Sequence, residues 1–253
     1  MYKNRSFTTF LIAIVLLFSM GFACKQTESD PAPAPNNAPT AKSEGPDNAP
    51  KPLTASVKDI SGTYLVTGTN ESGGGAYSGS LQITKRDSVY QFSWDTAGKR
   101  MEGVGVQTDN NIAAAFTEGD DGTGCGVVLY KIGSDGSLNG KAGYWGVKQS
   151  ETETAKRISG SDLEGEYDVN GSNPNGEPYE SKLAVKKSGL GYIFDWDGKL
   201  NGFGIRQSDK VAVGIGGSKC GFVSYEIKPD GTLDGKWGGY GSTSVGTETA
   251  KRQ

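Results

Sequence analysis

The sequence predicts an all-β fold, with two tandem small antiparallel up-and-down β-barrels following a disordered Pro-rich tether. Three observations predict it. Strand-forming and turn-forming residues alternate along the chain, with 39 glycines in 253 residues and no long apolar stripe at helical spacing after Met20. The hexapeptide TETAKR occurs twice, at 152–157 and again at 247–252. Around it the second half of the chain matches the first, the mark of one supersecondary unit present in two copies.

The N-terminal residues read as export information. MYKNRSFTTFLIAIVLLFSMGFAC has a basic start at Lys3 and Arg5, then an apolar run from Phe10 to Met20 that is short for a bilayer span. Residues 1–23 are therefore expected to be a signal peptide. Gly21-Phe22-Ala23-Cys24 resembles a bacterial lipobox, with glycine where leucine is usual. The resemblance implies cleavage before Cys24 and a lipid (diacylglycerol, palmitate) on its thiol; the plainer alternative is an ordinary signal peptide with an incidental cysteine. Residues 24–59 hold seven of the ten prolines and almost no large apolar side chains, so they cannot bury enough surface to offset ordering. In extended form such a tether reaches on the order of 100 Å from a membrane.

Loss of residues 1–23 leaves 24 basic against 29 acidic side chains, a formal charge of −5. That balance gives no electrostatic footprint for nucleic acid.

Aligning the TETAKR copies gives an offset of 95, which also pairs Cys125 with Cys220, Tyr130 with Tyr225 and Asp135-Gly136 with Asp230-Gly231. Upstream the offset widens to 102 or 103, where Tyr64 matches Tyr167 and Tyr90-Gln91-Phe92-Ser93-Trp94 matches Tyr192-Ile193-Phe194-Asp195-Trp196. The modules run from 60 to 157 and from 163 to 252. In the first, the strand signals are GTYLVTG, YSGSLQITK, SVYQFSWD, EGVGVQT, NIAAAF, CGVVLYKI, GSLNGKAGYW and TETAKR. Eight short strands suit a closed meander, with a sandwich as the alternative, and the Asp-Gly pairs suit hairpin tips. Each TETAKR is expected to close the sheet of its own module, the second pairing with Glu166-Tyr167-Asp168-Val169 and so removing a free edge.

The glycine-aromatic opening and meander resemble lipocalin and avidin-like barrels in pattern. More specifically, G-x-Y…Y-x-F-x-W…G-x-G…G-x-V-x-Y…D-G-x-L-x-G…G-T-E-T resembles a glycine-rich repeat of uncharacterised bacterial exported proteins. With the relaxed lipobox and the tether, the layout is similar to leptospiral (spirochaete-type) outer-membrane lipoproteins. The resemblance implies a lipid anchor in the outer membrane at the cell surface. It also implies host extracellular-matrix or plasma proteins as partners, as for an adhesin.

Candidate sites are few. The chain has no histidine, which removes imidazole bases and histidine metal ligands. No catalytic residue, cofactor or metal site is expected, and the protein reads as non-enzymatic. Asp195 and Asp197 alternate around Trp196 and read as an outer solvated face, with a glycosidase-like pair as the alternative. The stripes Tyr90, Phe92, Trp94 and Tyr192, Phe194, Trp196 read as core, or else as the lining of a ligand pocket at a barrel mouth. Gly103-x-Gly105 and Gly202-x-Gly204 lack the third glycine and the helix of a dinucleotide site. The acidic loop Glu118-Gly119-Asp120-Asp121-Gly122 is a calcium candidate, but its counterpart in the second copy is shortened to Gly216-Gly217-Ser218 and loses the acids. Cys125 and Cys220 stand at equivalent sites, which meet only across a two-fold contact, and are expected to be separate buried thiols. Two linked copies favour avid binding of macromolecules through loops. The alternative is a carrier of a small apolar ligand inside the barrels.

Overall fold

The computed structural model describes residues 58–253; the expected signal peptide (1–23), Cys24 and the expected tether up to residue 57 lie outside the described residues. Among the described residues sixteen strands follow one another. They are β1 (Gly62–Thr69), β2 (Ala76–Arg86), β3 (Val89–Thr96), β4 (Lys99–Thr108), β5 (Asn111–Glu118), β6 (Gly126–Ile132), β7 (Leu138–Tyr144) and β8 (Glu151–Ser161). The second copy gives β9 (Glu164–Ser172), β10 (Pro178–Ser188), β11 (Gly191–Trp196), β12 (Leu200–Gln207), β13 (Lys210–Ile215), β14 (Gly221–Ile227), β15 (Leu233–Gly239) and β16 (Gly246–Arg252). The Asp-Gly pairs sit at hairpin tips as expected. The Asp135 and Asp230 carboxylates accept from the backbone N–H of Ser137 and Thr232, and Gly136 and Gly231 take positive φ.

The strands form two closed eight-stranded antiparallel barrels. Their composition corrects the expectation of one barrel per copy. A continuous barrel uses β6 to β13, while a split barrel joins β1–β5 of the first copy to β14–β16 of the second. The boundaries 60–157 and 163–252 thus cut across both barrels. The second TETAKR strand, β16, does not pair with Glu166–Val169; it lies between β1 and β15, with Val66 opposite Ala250. The first, β8, pairs with β7 and β9. Each hexapeptide still closes a sheet, but against the other copy's first strand.

The physical reason lies on the outer faces of β4, β5, β6 and β13. Val104, Val106, Ala113 and Ala115 of the split barrel pack on Val127, Leu129 and Ala212 of the continuous one, all buried. A second contact, Phe203 and Ile205 against Phe222, is its repeat-related counterpart. These strands are therefore apolar on both faces, which is how a strand enclosed on both sides reads. At roughly 25 cal/mol per Å² this surface, exposed in separate barrels, favours the paired arrangement.

Between the two contacts the chain crosses from one barrel to the other, through 119–125 and back through 216–220. Here Cys125 and Cys220 form a disulfide, with Cα atoms 5.8 Å apart, correcting the expectation of two separate thiols. Equivalent residues meet because the barrels pack about an approximate two-fold, the condition the sequence left open. Gly216 has φ of 123°, and a Cβ there would lie 2.3 Å from Cys220 Sγ, so the crossover requires glycine.

Candidate functional site

The site begins with one rung of the split barrel. Across β2, β1, β16, β15 and β14 the register aligns Tyr77, Gly68, Glu248, Gly235 and Tyr225. Residues directly opposite share a face, and here that face is the interior. A Cβ on Gly68 would lie 2.4 Å from the Tyr77 ring, and one on Gly235 would lie 2.4 Å from the Tyr225 ring. Each ring thus lies flat over a glycine, and its hydroxyl reaches the glutamate one strand further on. Tyr77 donates to Glu248 Oε2 at 2.8 Å, Trp94 Nε1 donates to Oε1 at 3.0 Å, and Tyr225 also donates to Oε1.

The continuous barrel repeats the arrangement with Tyr179, Gly171, Glu153, Gly140 and Tyr130. Tyr179 donates to Glu153 Oε2 at 2.8 Å, and Tyr130 donates to Oε1. Both glutamates belong to TETAKR, so the repeated phrase carries the polar centre of each barrel. Its alanine is core, Ala155 and Ala250 both being fully buried. Its arginine in the split barrel, Arg252, lies over the Tyr64 ring at 5.4 Å and donates to the Asp59 carbonyl at the opposite end.

Burial raises the Glu248 carboxyl above its ordinary value, while the donors Tyr225, Tyr77 and Trp94 oppose the shift. Burial and the adjacent glutamate push the Tyr77 and Tyr225 phenols up, so both stay protonated as donors.

Above Glu248 the split barrel holds a cavity of about 330 Å³. Seven strands each direct a side chain into it: Tyr77, Trp94, Met101, Phe116, Val223, Trp237 and Glu248, with Asn70 following β1. Trp94 and Phe116 meet at 5.2 Å, and Tyr77 and Trp237 meet edge-on at 6.4 Å. The Trp237 indole lies over Gly246, and its Nε1 is buried there without a partner. At the rim Lys99 pairs with Glu118 at 2.8 Å. The loops over the mouth are tied together, with Ser242 donating to Glu71 at 2.5 Å and Ser72 N–H to Ser244 at 2.8 Å. In the continuous barrel the repeat replaces Trp237 by Ala142 and Gly239 by Tyr144, and the Tyr144 ring lies over Gly126 and packs on that core.

The structure divides the predicted aromatic stripes. Phe92 and Phe194 are fully buried core, as are Tyr90 and Tyr192 nearly so, and Trp196 stacks on Phe194. Trp94 is both core and cavity wall. Asp195 and Asp197 serve the hairpin, accepting from Gly198 N–H at 2.8 Å and Lys182 N–H at 3.0 Å. The acids of the calcium candidate are engaged locally: Glu118 by Lys99, Asp120 by Arg100 at 3.1 Å, and Asp121 by the Thr123 N–H at 2.9 Å. Sequence reasoning missed Glu248 and Tyr77; the signal for them was that the glutamate (Glu153, Glu248), the glycine (Gly171, Gly68) and the tyrosine (Tyr179, Tyr77) each recur in both copies.

Set against protein families, curated proteins and solved structures, the chain has no match.

Proposed function

We propose that this chain is a non-enzymatic envelope lipoprotein that binds a small, mostly apolar ligand in the mouth of its split barrel. In this reading Cys24 carries the lipid, the outer membrane holds the anchor, and the tether presents the barrels at the cell surface. The observation that carries it is the 330 Å³ cavity walled by four aromatic rings and Met101. Ligand sites are concave, mostly apolar and equipped with a few placed polar groups, and this volume falls at the small end of their ~300–1,000 Å³ range. The adhesin reading rests on the tether and the duplication, and stands as the alternative.

Native mass spectrometry of the purified chain, with N-phenylnaphthylamine as an added probe, tests the ligand site. The expected result is a small-molecule adduct or a rise in probe emission, either of them lost in Val223→Phe, which fills the cavity. A chain without adduct whose probe emission matches buffer would overturn the reading. Cys24→Ser tests the anchor, and is expected to move the chain from the detergent phase to the aqueous phase.

A further inference from the structure

The charges around the cavity set the class of ligand. Three charged residues line it, and Lys99 and Glu118 at the rim neutralise each other. Glu248 remains, 5% exposed, at the inner end. A carboxylate offers about four acceptor directions. Tyr225 and Trp94 occupy two on Oε1, and Tyr77 occupies one on Oε2, so one direction on Oε2 is unclaimed. All of the donors come from the walls, and Trp237 Nε1, in the indole seated over Gly246, is a wall donor without a partner. The cavity therefore presents one free donor, one free acceptor direction and aromatic rings; the acceptor belongs to a carboxyl group that no basic side chain among the described residues pairs with, and this suits a donor carrying positive charge. Trp and Tyr faces beside a carboxylate are the recognised surroundings of ammonium groups.

We propose that the split barrel binds an organic cation, a primary or methylated amine on a compact apolar body, with its ammonium group held by Glu248 and the rings of Trp94 and Tyr77. The inference rests on the reading of the cavity as a ligand site. The rim pair leaves the entrance close to neutral, so charge selection falls to the interior. The continuous barrel, with Tyr144 in its upper part, is not assigned this ligand.

The test is calorimetric titration of the full chain at neutral pH with three probes of similar shape: benzyldimethylammonium, which carries one N–H, its neutral isostere isobutylbenzene, and phenylmethanesulfonate. The cation is expected to bind about tenfold or more tightly than the neutral isostere, with the anion weakest. In Glu248→Gln, whose amide oxygen can accept from Tyr225 and Trp94 while its NH2 donates to the Tyr77 hydroxyl, the cation is expected to fall to the level of the neutral probe. The ranking on the unaltered chain keeps the proposal falsifiable should that variant fail to fold. Equal binding of cation and neutral probe would overturn the amine assignment and leave the cavity as a general apolar site. Absence of binding by all three would overturn the amine assignment and the ligand-site reading together.

Discussion

Tyr77 donates to Glu248 across Gly68, joining residues 171 positions apart within a single rung. The glutamate and the tyrosine come from different copies, so the polar centre of the split barrel exists only when both copies contribute. The donors around it make its removal costly.

Glu248→Ala leaves the buried Tyr225 hydroxyl and the Trp94 N–H without an acceptor, at about 1–3 kcal/mol for each. Glu248→Gln retains an acceptor and removes the charge. The folded carboxyl has a pKa above its ordinary 4.5, so its favourable contribution is complete below about 4.5 and is lost as pH rises through the folded value. Urea melts from pH 4 to pH 8 should therefore show the glutamine variant gaining on the wild type as pH rises, then levelling. A difference that shrinks with rising pH would contradict the assigned direction.

Gly68→Ala is expected to damage the same rung by sterics alone. The new Cβ would lie 2.4 Å from both the Tyr77 ring and the Thr247 carbonyl, and the second of these is backbone. Overpacking of this kind costs about 1–3 kcal/mol or more. Loss of stability together with loss of probe binding is the expected outcome, and an unaltered melt would show that the ring does not lie over the glycine.

Much of this was legible in the sequence. The strands followed from strand-forming stretches broken by short turn-forming ones, and the tips followed from Asp135-Gly136 and Asp230-Gly231. Closure by TETAKR was legible too, though its partner was not: each strand's equivalent in the other copy presents the same pattern, so local pairing rules do not choose between them. The choice is made on the outer faces, and the runs Ile112-Ala113-Ala114-Ala115, Val127-Val128-Leu129 and Val211-Ala212-Val213 carried that signal by failing to alternate. Glu248 was hidden because a glutamate between threonines looks solvated until two tyrosines reach it over glycines.

The Cys125–Cys220 disulfide spans a sequence separation of 95 at the crossovers. In the chain-entropy account a loop of this length contributes roughly 4–5 kcal/mol. The double variant Cys125→Ala/Cys220→Ala is expected to unfold at lower urea, as is the reduced wild type. Identical midpoints with and without reductant would contradict the bond.

Gly126–Ile215 contains the entire continuous barrel, including Tyr130, Glu153 and Tyr179. That fragment is expected to give a β-type circular dichroism spectrum and a cooperative melt. The stretch 160–253 holds β9–β13 of one barrel and β14–β16 of the other, and is not expected to fold as a monomer. Cooperative monomeric folding of 160–253 would mean that each copy can close on itself.

The cavity and its glutamate belong to a barrel assembled from both copies. Hydrogen exchange, read by mass spectrometry on a chain truncated after Val245, tests it most directly. Without β16 the split barrel loses the strand between β1 and β15 and opens two edges. Loss of protection is expected in 62–118 and 221–239, with protection retained across 126–215. Loss confined to 163–245, with 60–157 still protected, would contradict it.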